Sequence, residues 1–325
     1  MKNNSFEEIG NALKKAKKIL LFPHVNMDGD ALGSAAALCK ALRDMGKKCY
    51  IIIEDKIPEN IKFLDKGYCE SNFDVIKNPD VSVCIDCGDA GRISERIQKF
   101  RQSEMTICID HHGTTKRMCK LNYVDPKAAA TGQLIYKLLA SMGVKIDKEI
   151  GEAIFAAITT DTGNFQYSNT TKETHEIVAK LYDAGIDSNG VSVEIYERVP
   201  LQRLKIKNVA LNTMATVCDG KGAIAYVTQE MLEETGAAMD ETEGVVETLR
   251  SIDGVEISAF LKESWYDKIK VSMRAKKIGN VAEIAAKYHG GGHDKAAGFT
   301  LNCSITEAFE IVKAEIIENL DKYGK

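Results

Sequence analysis

Ile19-Leu20-Leu21-Phe22-Pro23-His24-Val25-Asn26-Met27-Asp28-Gly29-Asp30-Ala31-Leu32-Gly33-Ser34 runs from a short apolar segment, through a turn carrying one imidazole and two carboxylates, into a small-residue helical pattern. The apolar start lacks in–out alternation, so it reads as a strand buried on both faces. Three more runs of this kind follow at residues 49–53, 81–85 and 105–109, with helical patterns at 31–45 (stopped by Gly46) and 93–100. Alternation of strands and helices predicts an α/β fold, a doubly wound parallel sheet built from right-handed βαβ units. Helices are expected next at 128–142, 148–160 and 171–184.

At ~150 residues per domain, a chain of 325 residues holds about two. Residues 187–207 are polar and helical in pattern with Pro200 as a breaker, which predicts a helical linker between domains at 1–186 and 208–325. Strand patterns at 223–227, 255–261, 268–273 and 298–301, with helices at 281–288 and 306–320, predict a smaller C-terminal α/β domain with a mixed sheet. Hydrophobic residues at 44% and charged residues at 28% exclude collagen-like, disordered and disulfide-scaffold classes. No apolar run approaches the ~18–20 residues of a membrane span, and the lysines at 14, 15, 17 and 18 precede too short an apolar run for a signal peptide. Nine cysteines, an odd number, are expected to be reduced thiols, so the chain is expected in the cytoplasm, away from membranes.

The net charge of −4 is unevenly spread: 30 basic against 28 acidic residues through position 208, then 13 against 19. A long nucleic acid would call for a broad basic surface, so that partner is excluded. An anionic ligand has to be small, or held by metal ions, an arginine or backbone amides.

Four predicted elements end in cation-binding groups. They are His24 to Asp30, Asp86-Cys87-Gly88-Asp89, Asp110-His111-His112, and Thr160-Asp161-Thr162. In an open parallel sheet, ligands bind outside the carboxyl ends of the strands, so the three strand-borne groups converge. One aspartate after a strand is usually a turn or helix cap; four such segments together exceed what capping needs. Gathered carboxylates in a low-dielectric cleft are costly unless cations neutralise them. Asp28, Asp30, Asp86 and Asp161 supply four negative charges, which two divalent ions balance. Oxygen and imidazole donors without thiolate favour Mn²⁺ or Mg²⁺, with Co²⁺ or Zn²⁺ also compatible.

In order and spacing, His24-Val-Asn-Met-Asp28-Gly-Asp30, Asp86, Asp110-His111-His112 and Asp161 resemble the four motifs of the DHH phosphoesterase family. Gly290-Gly291-Gly292-His293 resembles the signature of its partner DHHA1 domain, so the resemblance spans nearly the whole chain. It implies His24, Asp28 and Asp86 on one metal, and Asp30, Asp86, His111 and Asp161 on a second, with Asp86 bridging. It implies that His112 faces the scissile phosphate or leaving oxygen and that Asp110 orients an imidazole. Two metals ~3.5–4 Å apart lower the pKa of a shared water and clamp both oxygens of an in-line displacement. The small side chains of Gly33, Ser34 and Ala35 to Ala37 read as close helix packing behind the site.

Three consecutive glycines can present amide N–H groups to an anion, although a flexible turn would have the same composition. His293 is a candidate phosphate donor, and Lys268, Lys270, Arg274, Lys276 and Lys277 form a basic run in an otherwise acidic domain. Arg274, in Val271-Ser272-Met273-Arg274-Ala275, resembles the family's phosphate-gripping arginine, with Ala275 where serine is common. Cys84 and Cys87 read as core, while Trp265 and Tyr266 could stack on a base or pack at a hairpin edge.

The resemblance implies a Mn²⁺-dependent hydrolase of short oligoribonucleotides (about two to five nucleotides), also removing the 3′-phosphate of 3′-phosphoadenosine 5′-phosphate (pAp). Its alternatives are a cyclic di-AMP or pApA phosphodiesterase, a single-strand DNA exonuclease, and a non-catalytic nucleotide-binding regulator. The resemblance is also compatible with a homodimer.

Overall fold

A computed structural model describes residues 3–265 and 267–324, and the chain divides into two compact units, up to Arg198 and from Val199 onward. The first unit contains, in order, α1 (Phe6–Lys15), β1 (Lys18–Phe22), α2 (Gly29–Asp44), β2 (Lys48–Ile52), β3 (Cys69–Glu70), β4 (Val81–Ile85), α3 (Ile97–Phe100), β5 (Met105–Asp110) and β6 (Leu121–Val124). Four helices complete it: α4 (Thr131–Ser141), α5 (Lys148–Asp161), α6 (Lys172–Asp183) and α7 (Ser188–Tyr196).

Its sheet has the order β3-β2-β1-β4-β5-β6, and every pair is parallel. One face is covered by a core to which α1, α2, α4 and α5 contribute Leu13, Leu38, Leu134 and Ile154, the other by a smaller cluster around Phe22 and Phe100. The strand order reverses direction between β1 and β4, the switch point outside which such sheets bind ligands. His24 follows β1 and Asp86 follows β4, so the topology alone brings these two chain segments side by side.

The helices behind that point pack closely because their contact residues are small. A Cβ on Gly33 would stand 2.5 Å from the Ala153 carbonyl oxygen, and one on Gly132 2.5 Å from the Ala157 Cβ. Where a helix was expected from residue 128, α4 begins at Thr131; Ala130 is still extended and offers no side-chain cap. The expected helix at 93–100 is reduced to 3₁₀ turns and the short α3.

The segment expected to be a linker, 187–207, is instead two helices belonging to different units. The α7 helix buries Val191 and Ile195 in the first core, whereas α8 (Leu201–Asn212) buries Ile206 and Ala210 in the second unit. The few apolar residues each helix buries tie it to its own unit, and only the short stretch around Arg198–Val199 is left between them.

The second unit continues with β7 (Ala215–Val217), β8 (Gly222–Val227), α9 (Gln229–Thr235), α10 (Val245–Ser251), β9 (Ile257–Trp265) and β10 (Lys268–Ala275). Then come α11 (Val281–Lys287), β11 (Gly291–His293), β12 (Ala296–Leu301) and α12 (Ile305–Tyr323). The sheet order is β11-β12-β10-β9-β8-β7, antiparallel except for the parallel β8–β9 pair, a mixed sheet. Along β10 burial alternates: Ile269, Val271, Met273 and Ala275 face the core, while Lys268, Lys270, Ser272 and Arg274 face away from it. No helix among the described residues is long and apolar enough to cross a membrane. All nine cysteines are free thiols, Cys84 and Cys87 being buried. Tyr266 lies outside the described residues, as does the side chain of Trp265, so the stacking expectation for the pair falls there.

Candidate active site

At the switch point the four acidic segments meet. Nε2 of His24 lies 3.7 Å from Asp28 Oδ2 and 3.5 Å from Asp86 Oδ2. Nε2 of His111 lies 3.4 Å from Asp161 Oδ2 and 3.7 Å from both Asp30 Oδ2 and Asp86 Oδ1. The two oxygens of Asp86 therefore face two different clusters, His24–Asp28 and Asp30–His111–Asp161. Asp86 holds a left-handed backbone (φ 54°), a strained conformation for a residue with a Cβ that costs of order 1 kcal/mol or more.

Each imidazole is oriented by a bond at its other nitrogen. Nδ1 of His24 lies 2.7 Å from the Val25 carbonyl oxygen and Nδ1 of His111 3.2 Å from that of Ala128. With Nδ1–H donating, both Nε2 lone pairs point into the clusters, the arrangement a metal-binding histidine needs. His112 differs: its Nδ1 is 2.8 Å from Asp110 Oδ1, its backbone N–H donates to the same oxygen, and Thr115 Oγ1 donates to Asp110 Oδ2. Asp110 is buried and its second oxygen is taken, so it orients His112 rather than entering the clusters, and the His112 ring remains partly exposed.

Capping and cluster membership coincide in two carboxylates. Asp28 Oδ1 caps α2 by accepting from Ala31 N–H (3.0 Å), which leaves Oδ2 toward His24. Asp30 caps a different helix: it accepts from Thr131 N–H (2.6 Å) and Gly132 N–H (2.9 Å) at the uncapped start of α4. Ser34, expected only to pack, donates to Asp30 Oδ1 at 2.9 Å. The sequence reading passed over Thr131, whose hydroxyl donates to Asp86 Oδ1 at 2.8 Å. A threonine opening a helix directly after Ala128–Ala130 was the available signal; its partner, 45 residues away, was not.

The electrostatics call for cations. Burial, then the charges of Asp86, Asp161 and Asp28, push the Asp30 carboxyl well above its usual range, and burial lifts Asp161 to about 6. Burial opposes a charge on His24, but hydrogen bonds to Asp28 and Asp86 prevail and push it up to about 10. Protons thus take up the charge that two divalent ions would. His111 Nε2 is buried and has no hydrogen-bond partner. An orphaned imidazole lone pair among three carboxylates, with no thiol in either cluster, fits a hard or borderline divalent cation such as Mn²⁺, Mg²⁺ or Co²⁺. His112 is raised as well, first by its bond to Asp110.

In the second unit the three glycines form no loop nest. Gly291, Gly292 and His293 make edge strand β11, paired with Gly298, Ala297 and Ala296. Gly290 and Gly292 are needed for close approach: a Cβ would stand 2.3 Å from the Gly298 oxygen and 2.4 Å from the Ala296 oxygen, and Gly292 has φ 144°. One side of β11 has no strand neighbour, so edge backbone rather than a turn is what the glycines offer. Ala296 pairs with both His293 and Arg274, so the register puts these two in one row. Arg274 is already engaged: Nε (3.1 Å) and Nη2 (3.0 Å) reach Glu247 Oε1 on α10, and Nη1 donates to the Met273 carbonyl oxygen.

Comparison with known proteins agrees along the whole chain. Residues 18–158 match the DHH family, N-terminal domain, and residues 219–322 match the DHHA1 domain. The bifunctional oligoribonuclease and PAP phosphatase NrnA of Thermus thermophilus is 33% identical over 94% of this chain and 91% of its own. A crystal structure of an exopolyphosphatase-related protein from Bacteroides fragilis superposes with TM-score 0.85 at 27% identity, covering 98% of this chain and 96% of that one. RecJ of Thermus thermophilus in complex with Mn²⁺ shares the fold at TM-score 0.56 and 15% identity, over 98% of this chain and 55% of its own. With both domains matched in sequence and the motif residues gathered at one switch point, the chain belongs to the DHH–DHHA1 phosphoesterase family.

Proposed function

We propose that the chain hydrolyses short oligoribonucleotides to mononucleotides and removes the 3′-phosphate of pAp, using two divalent ions, with Mn²⁺ preferred. The observation that carries this is the pair of facing clusters sharing Asp86, with the unpartnered His111 Nε2 between three carboxylates. The relative named for both activities, similar over nearly its whole length, supports the substrate class.

In this reading His24, Asp28 and Asp86 hold one ion, and Asp30, Asp86, His111 and Asp161 hold the other. Bound there, the ions supply an activated water and charge neutralisation at the phosphate. Asp110 keeps a proton on His112 Nδ1, and that bond raises the basicity of the ring at Nε2. When protonated, Nε2 of this partly exposed ring donates to a phosphate oxygen or to the departing ribose oxygen. Arg274, His293 and the amides of Gly290, Gly291 and Gly292 hold a second part of the substrate. The chain works in the cytoplasm in this reading, on short RNA, pAp or pApA, as a monomer or a homodimer.

The test is release of mononucleotide from a 5′-labelled RNA dinucleotide by the wild-type chain and by Asp86→Ala, with and without Mn²⁺. Loss of activity to background in the variant is expected; undiminished activity overturns the two-ion site. A panel of pAp, RNA of two to ten nucleotides, single-stranded DNA, pApA, cyclic di-AMP and pyrophosphate tests the substrate class.

A further inference from the structure

The face of the second unit's sheet turned away from α11 and α12 is covered over β8 and β9 by a second core from α8 and α10, and beside that cover it carries cations at two separate levels. Directly paired residues share a face, so Arg274 aligns with Ser258, Ala296 and, through Ala296, His293. Two residues along, Ser272 aligns with Phe260, Gly298 and Gly291; two further, Lys270 aligns with Lys262 and Thr300. Arg274 and Lys270 are four residues apart on one strand, which at ~3.4 Å per residue separates the levels by ~14 Å. The floor between them is small where it is open, with Ser272, Gly298 and Gly291, while Phe260 in the same row is buried in the core that α10 contributes to with Val246 and Leu249.

Lys262 and Lys270 stand directly opposite one another, a pairing of like charges that works against the sheet. Lysines do protect edges from aggregation, but β9 and β10 are interior strands, so that role does not explain them. Lys262 is half-buried, its ammonium 5.6 Å from the Phe260 ring centroid. Asp240, Glu243 and Glu247 act on it from a distance, yet among the described residues no carboxylate lies within 4.0 Å of either lysine. The carboxylate of Glu247 is spent on Arg274. Two ammonium groups held together with no carboxylate among the described residues at ion-pair distance make a site for an anion.

We propose that Lys262 and Lys270 form a second phosphate subsite, taking the backbone of an oligonucleotide whose other phosphate lies at Arg274 and His293. The proposal rests on the function given above and narrows it: the span between levels exceeds one nucleotide, so the subsite serves oligonucleotides and not pAp. Ser272 and the glycines leave the sugar–phosphate chain room to cross between the two levels.

Binding of a fluorescent RNA pentanucleotide to the full chain without metal ion, followed by anisotropy across a salt series, tests it apart from hydrolysis. Lys270→Gln, Lys262→Gln and the double variant are compared with wild type, and pAp competition gives affinity for the short ligand. Each substitution should lower the slope of log affinity against log salt by about 0.7. The double variant should weaken pentanucleotide binding about tenfold, pAp by less than twofold, and Lys270→Arg should restore it. Lys270 is exposed, so its variants carry the test even if Lys262→Gln disturbs folding. Unchanged slopes, or equal losses on both ligands, overturn the subsite. If the pentanucleotide binds as described and is never hydrolysed, the catalytic reading fails and the subsite stands.

Discussion

Thr131→Val removes one hydroxyl from the centre of the site and little else. Valine keeps the β-branched shape, and the backbone N–H that donates to Asp30 at 2.6 Å is untouched. What disappears is the 2.8 Å bond from Thr131 Oγ1 to Asp86 Oδ1, where both residues are buried. A hydrogen bond to a charged group is worth about 1.5–3 kcal/mol net. At ~1.4 kcal/mol per decade that is about a 10- to 150-fold effect, the range seen when the partner of a metal ligand is lost. The cost falls on Mn²⁺ binding, because the oxygen released is the one facing the Asp30–His111–Asp161 cluster. Calorimetric titration of the metal-free chain with Mn²⁺ measures it, alongside thermal melts with and without the ion. We expect affinity about 10- to 100-fold lower, with Thr131→Ser recovering most of it. Mn²⁺ affinity within twofold of wild type refutes the reasoning, and so does a lower metal-free melting temperature with affinity unchanged, which would make the hydroxyl purely structural.

Glu247→Gln releases Arg274 from a partly exposed ion pair of the kind worth about 0.2–1 kcal/mol. Any phosphate binding Arg274 has to displace that carboxylate, so KM for nucleotide substrates should fall about 1.5- to 5-fold with kcat little changed; a raised KM means that Glu247 positions the arginine. Metal binding should strengthen with pH. His24, raised to about 10 in the metal-free chain, is protonated at neutral pH, and Asp161, at about 6, still holds part of its proton just below it. An ion must expel the His24 proton, so affinity should climb by about one decade per pH unit between pH 6.5 and 8.5. Titrations in two buffers of different ionisation enthalpy count the proton released; flat affinity across that interval contradicts the assignment. The same shift stabilises the metal-free fold fully below pH ~6.5, the unfolded value, and that contribution fades as pH rises toward 10.

The strand ends were legible because their signals are contiguous: an apolar run buried on both faces stops, and a polar turn begins at the next residue. That locates His24, Asp86 and Asp110 without knowledge of the sheet order. Other features depend on what lies across space. Thr131 and Ser34 look like ordinary helix residues until Asp86 and Asp30 are seen beside them. Strand β3, two residues long, and the half-buried β6 are too weak in pattern to stand out. Gly290 to Gly292 have the composition of a loop; pairing with β12 makes part of the run a strand. The partner of Arg274 sits 27 residues away on α10, beyond any local pattern.

Setting capping against metal binding as rival explanations of a carboxylate proves too narrow for Asp28 and Asp30. Asp28 caps its own helix with one oxygen and keeps the other for His24. Asp30 ties the start of α4 to α2, where Ala130 provides no cap of its own. A side chain fixed by backbone N–H groups loses little further freedom when an ion arrives, which is how a site is pre-organised. The same bonds leave α4 dependent on a residue in the site. Asp30→Asn would put an amide NH₂ where one of two N–H donors now points, so the end of α4 and the cluster would be damaged together. Asp161, whose carboxylate makes no such cap, separates the two effects: its loss should weaken the ion without loosening a helix start.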